Sequence, residues 1–166
     1  EAGAGIHLEP LGIFSNKHQS LDELPDGGTI GIISDTSNQA RALELLATQG
    51  LVEIPEGDGD VNINTVTKLK NFDFREVEGP QLVRSLDDFD YAVINGNFAQ
   101  EGGKSISSDA LVVESPVDNP AVNVLVWKDG SNKAEAIAKL EELLHSPEVK
   151  QYIEQTWPDG SVIPAF

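Results

Sequence analysis

Short apolar runs alternate with amphipathic segments along the chain. Two of these runs, Thr29–Ser34 and Tyr91–Asn95, have the length and composition of buried strands. Between them, apolar residues recur at helical spacing over residues 40–47, after the N-cap residues Asp35–Asn38 and before Gly50. Strands that alternate with helices predict an α/β fold whose sheet is largely parallel in its middle.

The same pattern places the remaining elements. Further extended segments are predicted at Ile6–Ser15, Phe74–Val77, Ala110–Glu114, Val122–Trp127 and Gly160–Phe166. Further helices are predicted at Ser20–Leu24, at Gly79–Ser85, at Lys133–Leu144 and from Pro147 to about Trp157, with the start of another at Asn64–Leu69. Loops are predicted for the acidic stretch Glu53–Asn64 and for the residues that follow Asn95, through Gly103.

Composition narrows the possible partners. Hydrophobic residues make up 39% of the 166 residues, which is enough for a core, and the formal net charge is −17. The balance of 11 basic to 28 acidic residues argues against nucleic acid or anionic membrane as the main partner. The absence of cysteine excludes disulfides and thiolate chemistry. The chain begins at Glu1 rather than methionine, which we interpret as processing or truncation.

Arg41 stands about one turn inside the predicted helix start, where the free N–H groups carry partial positive charge. A cation is unfavourable there by about 0.3–1 kcal/mol, so its presence calls for a reason. One reason is an anion site, because arginine can present two parallel donors to a carboxylate beside those N–H groups. The alternative is an ion pair with Glu44 or another acid, and the pattern leaves both open.

Two asparagine positions end or interrupt apolar strands. Asn95 and Asn97 flank Gly96 at the end of a strand, where an amide can donate to and accept from a zwitterionic ligand, although Asn-Gly is also a strong turn signal. Asn123 lies within an otherwise apolar strand, and an unpaired buried amide costs about 1–3 kcal/mol. It either bonds a neighbouring backbone group or faces a ligand cleft.

No pattern indicates a metal or a cofactor. Asp58–Asn64 resembles a calcium loop only superficially, since Ile63 and Leu69 stand where glycine and glutamate are needed, so a solvated acidic loop is favoured. The three histidines are not spaced along the chain as the ligands of a metal site would be. No nucleophile has an evident base, which weighs against an enzyme.

A series of segments resembles, in the same order, the NlpA-type lipoproteins, the methionine-binding substrate proteins of bacterial ABC importers. The segments are IHLEPLGIFS, SLDELPDGGTI, DTSNQARALELL, RSLDDFDYAVINGNFA, NPAVNVLVW, LHSPEVKQYIE and SVIPAF. The resemblance implies a type II periplasmic binding protein fold, with one lobe complete and the other partial. It also implies a protein outside the cytoplasm, held by a lipid anchor whose leader is absent from this chain.

The resemblance further implies a division of the chain. Residues 1–15 would be a hinge strand entering from a missing N-terminal lobe, and residues 16–120 a complete second α/β lobe. Residues 121–166 would supply a return hinge strand and C-terminal helices that pack toward the partial first lobe. The absent stretch would carry the residues that wrap a methionine side chain, so we expect weak binding by this chain and self-association through its uncovered apolar surface.

The family also implies roles for the residues singled out above. Arg41 would hold the carboxylate of an amino acid, with L-methionine as the expected ligand, while Asn95 and Asn123 would bind its polar head, with no cofactor and no metal. The membrane subunits of an ABC importer would be the protein partner. Thr36 and Ala40 depart from the family's usual proline and glycine. The competing hypotheses are a surface adhesin with a vestigial site and, less favoured, an enzyme on the same scaffold.

Overall fold

The computed structural model describes residues 1–166, with ten strands and six helices. The strands are β1 (Ala2–Leu8), β2 (Leu11–Phe14), β3 (Gly28–Ile33), β4 (Val52–Glu53), β5 (Thr67–Lys68), β6 (Phe72–Val77), β7 (Tyr91–Asn95), β8 (Val112–Val113), β9 (Asn123–Val126) and β10 (Ile163–Pro164). The helices are α1 (Thr36–Thr48), α2 (Gly79–Arg84), α3 (Gly96–Glu101), α4 (Ile106–Asp109), α5 (Ala134–Leu144) and α6 (Pro147–Thr156). Short 3-10 turns occupy Leu21–Glu23 and Leu86–Asp88.

The central sheet has five strands in the order β6-β3-β7-β2-β8. Strand β3 runs parallel to both β6 and β7, which confirms the predicted parallel middle. Strands β2 and β8 extend the sheet antiparallel to their neighbours. The parallel strands bring the carboxyl ends of β3 and β7 to one edge, where α1 and α3 begin. In open α/β sheets, ligands bind at such an edge.

Both faces of this sheet are buried, as a parallel arrangement requires. Along β7, Tyr91 and Val93 belong to the apolar cluster under α1, while Ala92 and Ile94 belong to the cluster under α2 and α3. This alternation is the two-residue period of a strand with a core on each side. It explains why Tyr91–Asn95 is uniformly apolar in sequence until its last residue.

The second sheet is smaller and less covered. It has the order β10-β1-β9, and all its pairs are antiparallel. Its neighbour α5 has the apolar stripe of a core helix, yet none of its residues is buried, and Leu143 is 52% exposed. Val126 of β9 is 68% exposed. The chain passes between the two sheets at Glu9 and Pro10, which separate β1 from β2.

A histidine links α5 to this second sheet. His145 follows the last residue of α5, with Nδ1 2.7 Å from the Glu141 carbonyl and Nε2 2.8 Å from the Gly5 carbonyl. Both neighbours can only accept, so both ring nitrogens donate when the imidazole is protonated. The bond to the Glu141 carbonyl, helped by the one to Gly5, outweighs burial and raises the pKa of His145.

A carboxylate ties the segment after β2 to the central sheet. Asp90 accepts from the Thr29 backbone N–H at 2.8 Å and lies 2.8 Å from Nε2 of His18. Burial alone would raise the pKa of Asp90, but these hydrogen bonds to its charged form outweigh burial and lower it. The predicted helix at Ser20–Leu24 packs nearby as a single 3-10 turn, in which Ser20 caps the Asp22 N–H.

Two predicted elements are wrong. The helix expected to start at Asn64–Leu69 is instead the strand β5, which pairs with β4 through Val52 and Lys68. The loop expected after Asn95 is instead the helix α3, which begins at Gly96 without a linker. No helix in the structure combines the length and the apolar character that a membrane crossing requires.

Candidate functional site

Arg41 lies on the first turns of α1 and reaches toward the edge of the central sheet that is formed by β8. The helix begins at the end of β3, where the Asp35 side chain accepts from the Asn38 backbone N–H at 2.9 Å. Arg41 Nε donates to Glu114 Oε1 at 2.7 Å, and Nη2 donates to the other Glu114 oxygen. Of the two alternatives left open by the sequence, the structure therefore has the arginine in an ion pair, with Glu114 rather than Glu44.

Glu114, the partner of Arg41, is itself held in place by hydrogen bonds to β2. It follows directly after β8, and its backbone N–H donates to the Leu11 carbonyl at 2.8 Å. Its Oε2 accepts from the Leu11 N–H at 3.0 Å. The side chains of Arg41 and Glu114 are only 15% and 13% exposed. Their charge-assisted bonds are therefore shielded from solvent and stronger than those of a surface pair.

Asn95 closes β7 and is buried. Its Nδ2 donates to Asn38 Oδ1 at 3.2 Å, which joins the end of β7 to the start of α1. Its Oδ1 is buried without any hydrogen-bond partner. A buried acceptor left unpaired costs about 1–3 kcal/mol, so this oxygen is a place where a ligand donor would be stabilised. Asn97, on the other side of Gly96, is half-buried in α3.

Gly96 explains the backbone path after Asn95. A β-carbon at this position would lie 2.8 Å from the Ser161 carbonyl oxygen and 3.1 Å from that of Pro10. The Gly96 N–H donates to the same Pro10 carbonyl at 2.9 Å. Only glycine allows the end of β7, the passage between the sheets and the C-terminal tail to pack this closely.

Asn123 is the first residue of β9 and is exposed. Its Nδ2 donates to Glu9 Oε2 at 3.1 Å, and so it bonds a side chain rather than the backbone. The other oxygen of Glu9 lies 3.5 Å from His7 Nε2. The Glu9 carboxylate, which lies in the connection between the two sheets, therefore contacts residues of the smaller sheet.

Each of the three predicted site residues neighbours the passage between the two sheets, Glu9–Leu11, at a different point. Arg41 Nη2 donates to the Glu9 carbonyl at 2.7 Å. Asn123 contacts the Glu9 side chain, and Asn95 stands opposite Leu11 in the β2–β7 register. The residues that sequence reasoning missed are Glu9 and Glu114. A single acid within the otherwise apolar run Ile6–Ser15 was the available signal for Glu9.

A cavity of about 670 Å³ opens beside Arg41 and Glu114, between α1 and residues 113–121. Asn95 and Asn123 do not line it. One of its lining residues, Asp118, has a positive φ of 53°, a left-handed conformation that aspartate tolerates better than most residues. This cavity thus adjoins the ion pair, while Asn95 lies outside its lining.

The model of the NlpA lipoprotein family matches residues 2–166 of the chain. The methionine-binding lipoprotein MetQ of Bacillus subtilis strain 168 is 34% identical over 168 residues, which cover 98% of this chain and 61% of that protein. The chain therefore spans about three fifths of the length of this curated relative.

Solved structures of lipoproteins and substrate-binding proteins share the fold of this chain. A lipoprotein from Actinomyces odontolyticus ATCC 17982 is 88% identical, with a TM-score of 0.88, and the match covers all of this chain and 69% of that one. A nutrient-binding protein from Burkholderia cenocepacia, solved bound to methionine, is 30% identical with a TM-score of 0.87, covering all of this chain and 70% of that one. A periplasmic substrate-binding protein of an ABC transporter from Coxiella burnetii is 34% identical, with a TM-score of 0.83. The match covers 96% of this chain and 67% of that one.

These neighbours confirm the predicted α/β fold of the type II periplasmic binding class. That one lobe is complete and the other partial stays a prediction, as do the boundaries at residues 15 and 120. The roles of Arg41, Asn95 and Asn123 likewise stay predictions.

Proposed function

Because the chain belongs to the NlpA lipoprotein family, we propose that it is an extracytoplasmic solute-binding protein for an amino acid, with L-methionine as its ligand. The name of the Bacillus subtilis relative and the methionine in the Burkholderia cenocepacia structure support the ligand. The Coxiella burnetii neighbour supports delivery to the membrane subunits of an ABC importer. The same proposal includes a lipid anchor that holds the natural protein at the membrane.

The observation that carries the proposal is the unpaired Oδ1 of Asn95, buried at the carboxyl edge of the central sheet. An α-ammonium group brings three donors and no acceptor, so it is the part of an amino acid that this oxygen suits. The carboxylate of the same molecule would then bind Arg41, whose Nη1 makes no hydrogen bond to the protein. Asn123 would hold the head group from the second sheet.

Binding of this kind is reversible and breaks no covalent bond. The proposed contacts come from both sheets and meet where Glu9 and Pro10 connect them. A ligand that contacts both sheets would stabilise the closed arrangement of the two lobes relative to the open one. A binding protein that closes on its ligand depends on this difference in stability. We therefore propose that residues 1–15 act as one hinge strand, beside a lobe formed by residues 16–120. Residues 121–166 would supply the return hinge strand and the C-terminal helices that pack toward the partial first lobe.

The test is calorimetry with L-methionine and D-methionine on the protein in its full natural length and on its Arg41→Ala variant. Removing a charged donor should weaken L-methionine binding roughly 10- to 100-fold. Arg84→Ala is the matched control, since it removes the same charge from an exposed position on α2. Equal affinity of the Arg41→Ala variant and the unaltered protein would contradict the role of Arg41.

Because Arg41→Ala leaves Glu114 without its partner, a second variant separates binding from folding. Asn123 is exposed, so Asn123→Ala disturbs no core contact. We expect it to weaken L-methionine binding about tenfold, the effect of one lost hydrogen bond, with an unchanged melting temperature. If neither variant changes the affinity, the ligand binds elsewhere.

A further inference from the structure

The guanidinium of Arg41 is largely occupied by the protein itself. Nε and Nη2, the two nitrogens on one edge of its planar group, both donate to Glu114, and Nη2 also donates to the Glu9 carbonyl. This edge is the one on which a bidentate carboxylate would otherwise sit. Only Nη1 remains for a ligand.

The charge of the site follows from the same contacts. Arg41 and Glu114 cancel as a pair, and Glu9 adds a second carboxylate that touches the Asn123 amide. His7, whose ring can carry positive charge, lies 3.5 Å from Glu9. A ligand carboxylate therefore meets no net positive charge at Arg41, whereas an ammonium group is attracted by Glu9.

We propose that Glu114 makes this site selective for zwitterions, by cancelling the charge of Arg41 so that a carboxylate lacking an ammonium group binds poorly. The inference rests on the proposed function and deepens it. Glu114 is a positioning residue in this account, since it touches Arg41 rather than the ligand. It also turns the guanidinium so that Nη1 is the presented nitrogen.

A purely structural role would not require charges at these two positions. Shielded ion pairs contribute little net stability, and apolar residues of similar volume often replace them without loss. Glu114 is already anchored to β2 through its backbone N–H and the Leu11 carbonyl. The carboxylate also accepts from the Leu11 N–H, a bond that a neutral glutamine oxygen could make as well, so the negative charge is the feature that the inference assigns to the ligand.

The test compares two ligands, L-methionine and 4-(methylthio)butanoate, which is methionine without its amino group. Affinities are measured by calorimetry for the full natural length of the protein, for Glu114→Gln and for the control Glu44→Gln. Glu44 lines the same cavity on α1 but is exposed and makes no bond to Arg41, so its variant loses the same charge. Thermal unfolding without ligand checks that each variant folds.

In Glu114→Gln, the affinity for the butanoate relative to methionine should rise at least about tenfold, the effect of uncovering one unit charge in a shielded site. Glu44→Gln should leave that ratio unchanged. If Glu114→Gln weakens both ligands by the same factor, the residue is structural and the inference is wrong.

The unaltered protein provides a test that does not depend on any variant folding. It should bind methionine at least about 100-fold more tightly than the butanoate, because only methionine supplies a donor for the Asn95 oxygen and a cation for Glu9. Equal affinities for the two ligands would overturn the inference while leaving methionine binding intact. Failure to bind methionine at all would overturn the proposed function and this inference together.

Discussion

At the scale of single residues, Asn95 is the position where the proposed function and stability oppose each other. Its buried Oδ1 has no partner, and its Nδ2 makes one bond of 3.2 Å. A group kept unsatisfied in this way lowers the stability of the empty protein by about 1–3 kcal/mol. The proposed ligand contact would account for a polar group that the fold itself leaves unsatisfied.

Replacing Asn95 by leucine, which has a similar volume, should separate the two effects. We expect the free energy of unfolding to stay within about 1 kcal/mol of its original value or to rise, because the unpaired oxygen disappears. Binding of methionine should be lost. Chemical denaturation and calorimetry measure the two quantities on the same sample.

The control for this prediction is Asn97→Leu, which changes the half-buried asparagine on the other side of Gly96. It should leave methionine binding unchanged. A marked fall in stability for Asn95→Leu, together with intact binding, would mean that Asn95 serves the fold.

The sequence identified the unusual residues but not their partners. Arg41 stands out because a cation at a helix start is unfavourable, and the asparagines stand out because they end or begin apolar strands. The partner of Arg41 lies 73 residues further along the chain, and no local pattern points to it. Whether an arginine faces solvent, an internal acid or a ligand depends on the packing of β8 against β2.

At the scale of elements, His145 makes the attachment of α5 to β1 depend on pH. Its two ring nitrogens face the carbonyl oxygens of Glu141 and Gly5, and the negative charge of the Glu141 carboxylate also favours the protonated ring. The neutral ring can satisfy only one of these acceptors. The link is therefore complete only when the ring is protonated.

Because the folded state raises the pKa of His145 above its ordinary value of 6.5, the stabilisation is fully present below that pH. It is lost as the pH rises through the higher value of the folded state. The difference in unfolding free energy between the unaltered protein and His145→Gln should thus shrink from pH 5.5 to pH 8.5. Urea unfolding of both proteins at several pH values measures this difference. If the unfolding free energies of the two proteins change with pH in parallel, the prediction is wrong.

Most elements could be predicted from periodicity, and the two errors have physical causes. Thr67 and Lys68 form a strand because Val52 and Glu53 are available to pair with them, which is a contact made across the intervening loop. The residues after Asn95 form a helix because the Gly96 N–H already bonds the Pro10 carbonyl, so no turn is needed. In both places, tertiary hydrogen bonds override local preference.

At the scale of the whole molecule, the two sheets differ in how well they are covered. The two apolar clusters lie between the central sheet and its helices, whereas α5 contributes no buried residue. Leu140 and Leu143 are 44% and 52% exposed on the same side of that helix. Exposed apolar stripes of this kind mark surfaces that associate.

We therefore expect this chain to self-associate at high concentration through the stripe on α5. Sedimentation velocity over a range of concentrations should show the weight-average mass rising, and the double variant Leu140→Lys, Leu143→Lys should remain monomeric. Its melting temperature should change little, because neither side chain is buried. A monomer at every concentration of the unaltered chain would contradict this expectation.

The pairing of Arg41 with Glu114 also has a kinetic consequence. A protein with a net charge of −17 repels small anions over about one Debye length, which is roughly 8 Å at physiological salt. A zwitterion carries no net charge and approaches without that barrier, so its association rate should depend only weakly on ionic strength. Under the proposed function, this acidic chain would therefore capture a zwitterionic amino acid at a similar speed in dilute and in saline surroundings, because neither the neutral ligand nor the charge-paired Arg41 gives the encounter a strong dependence on salt.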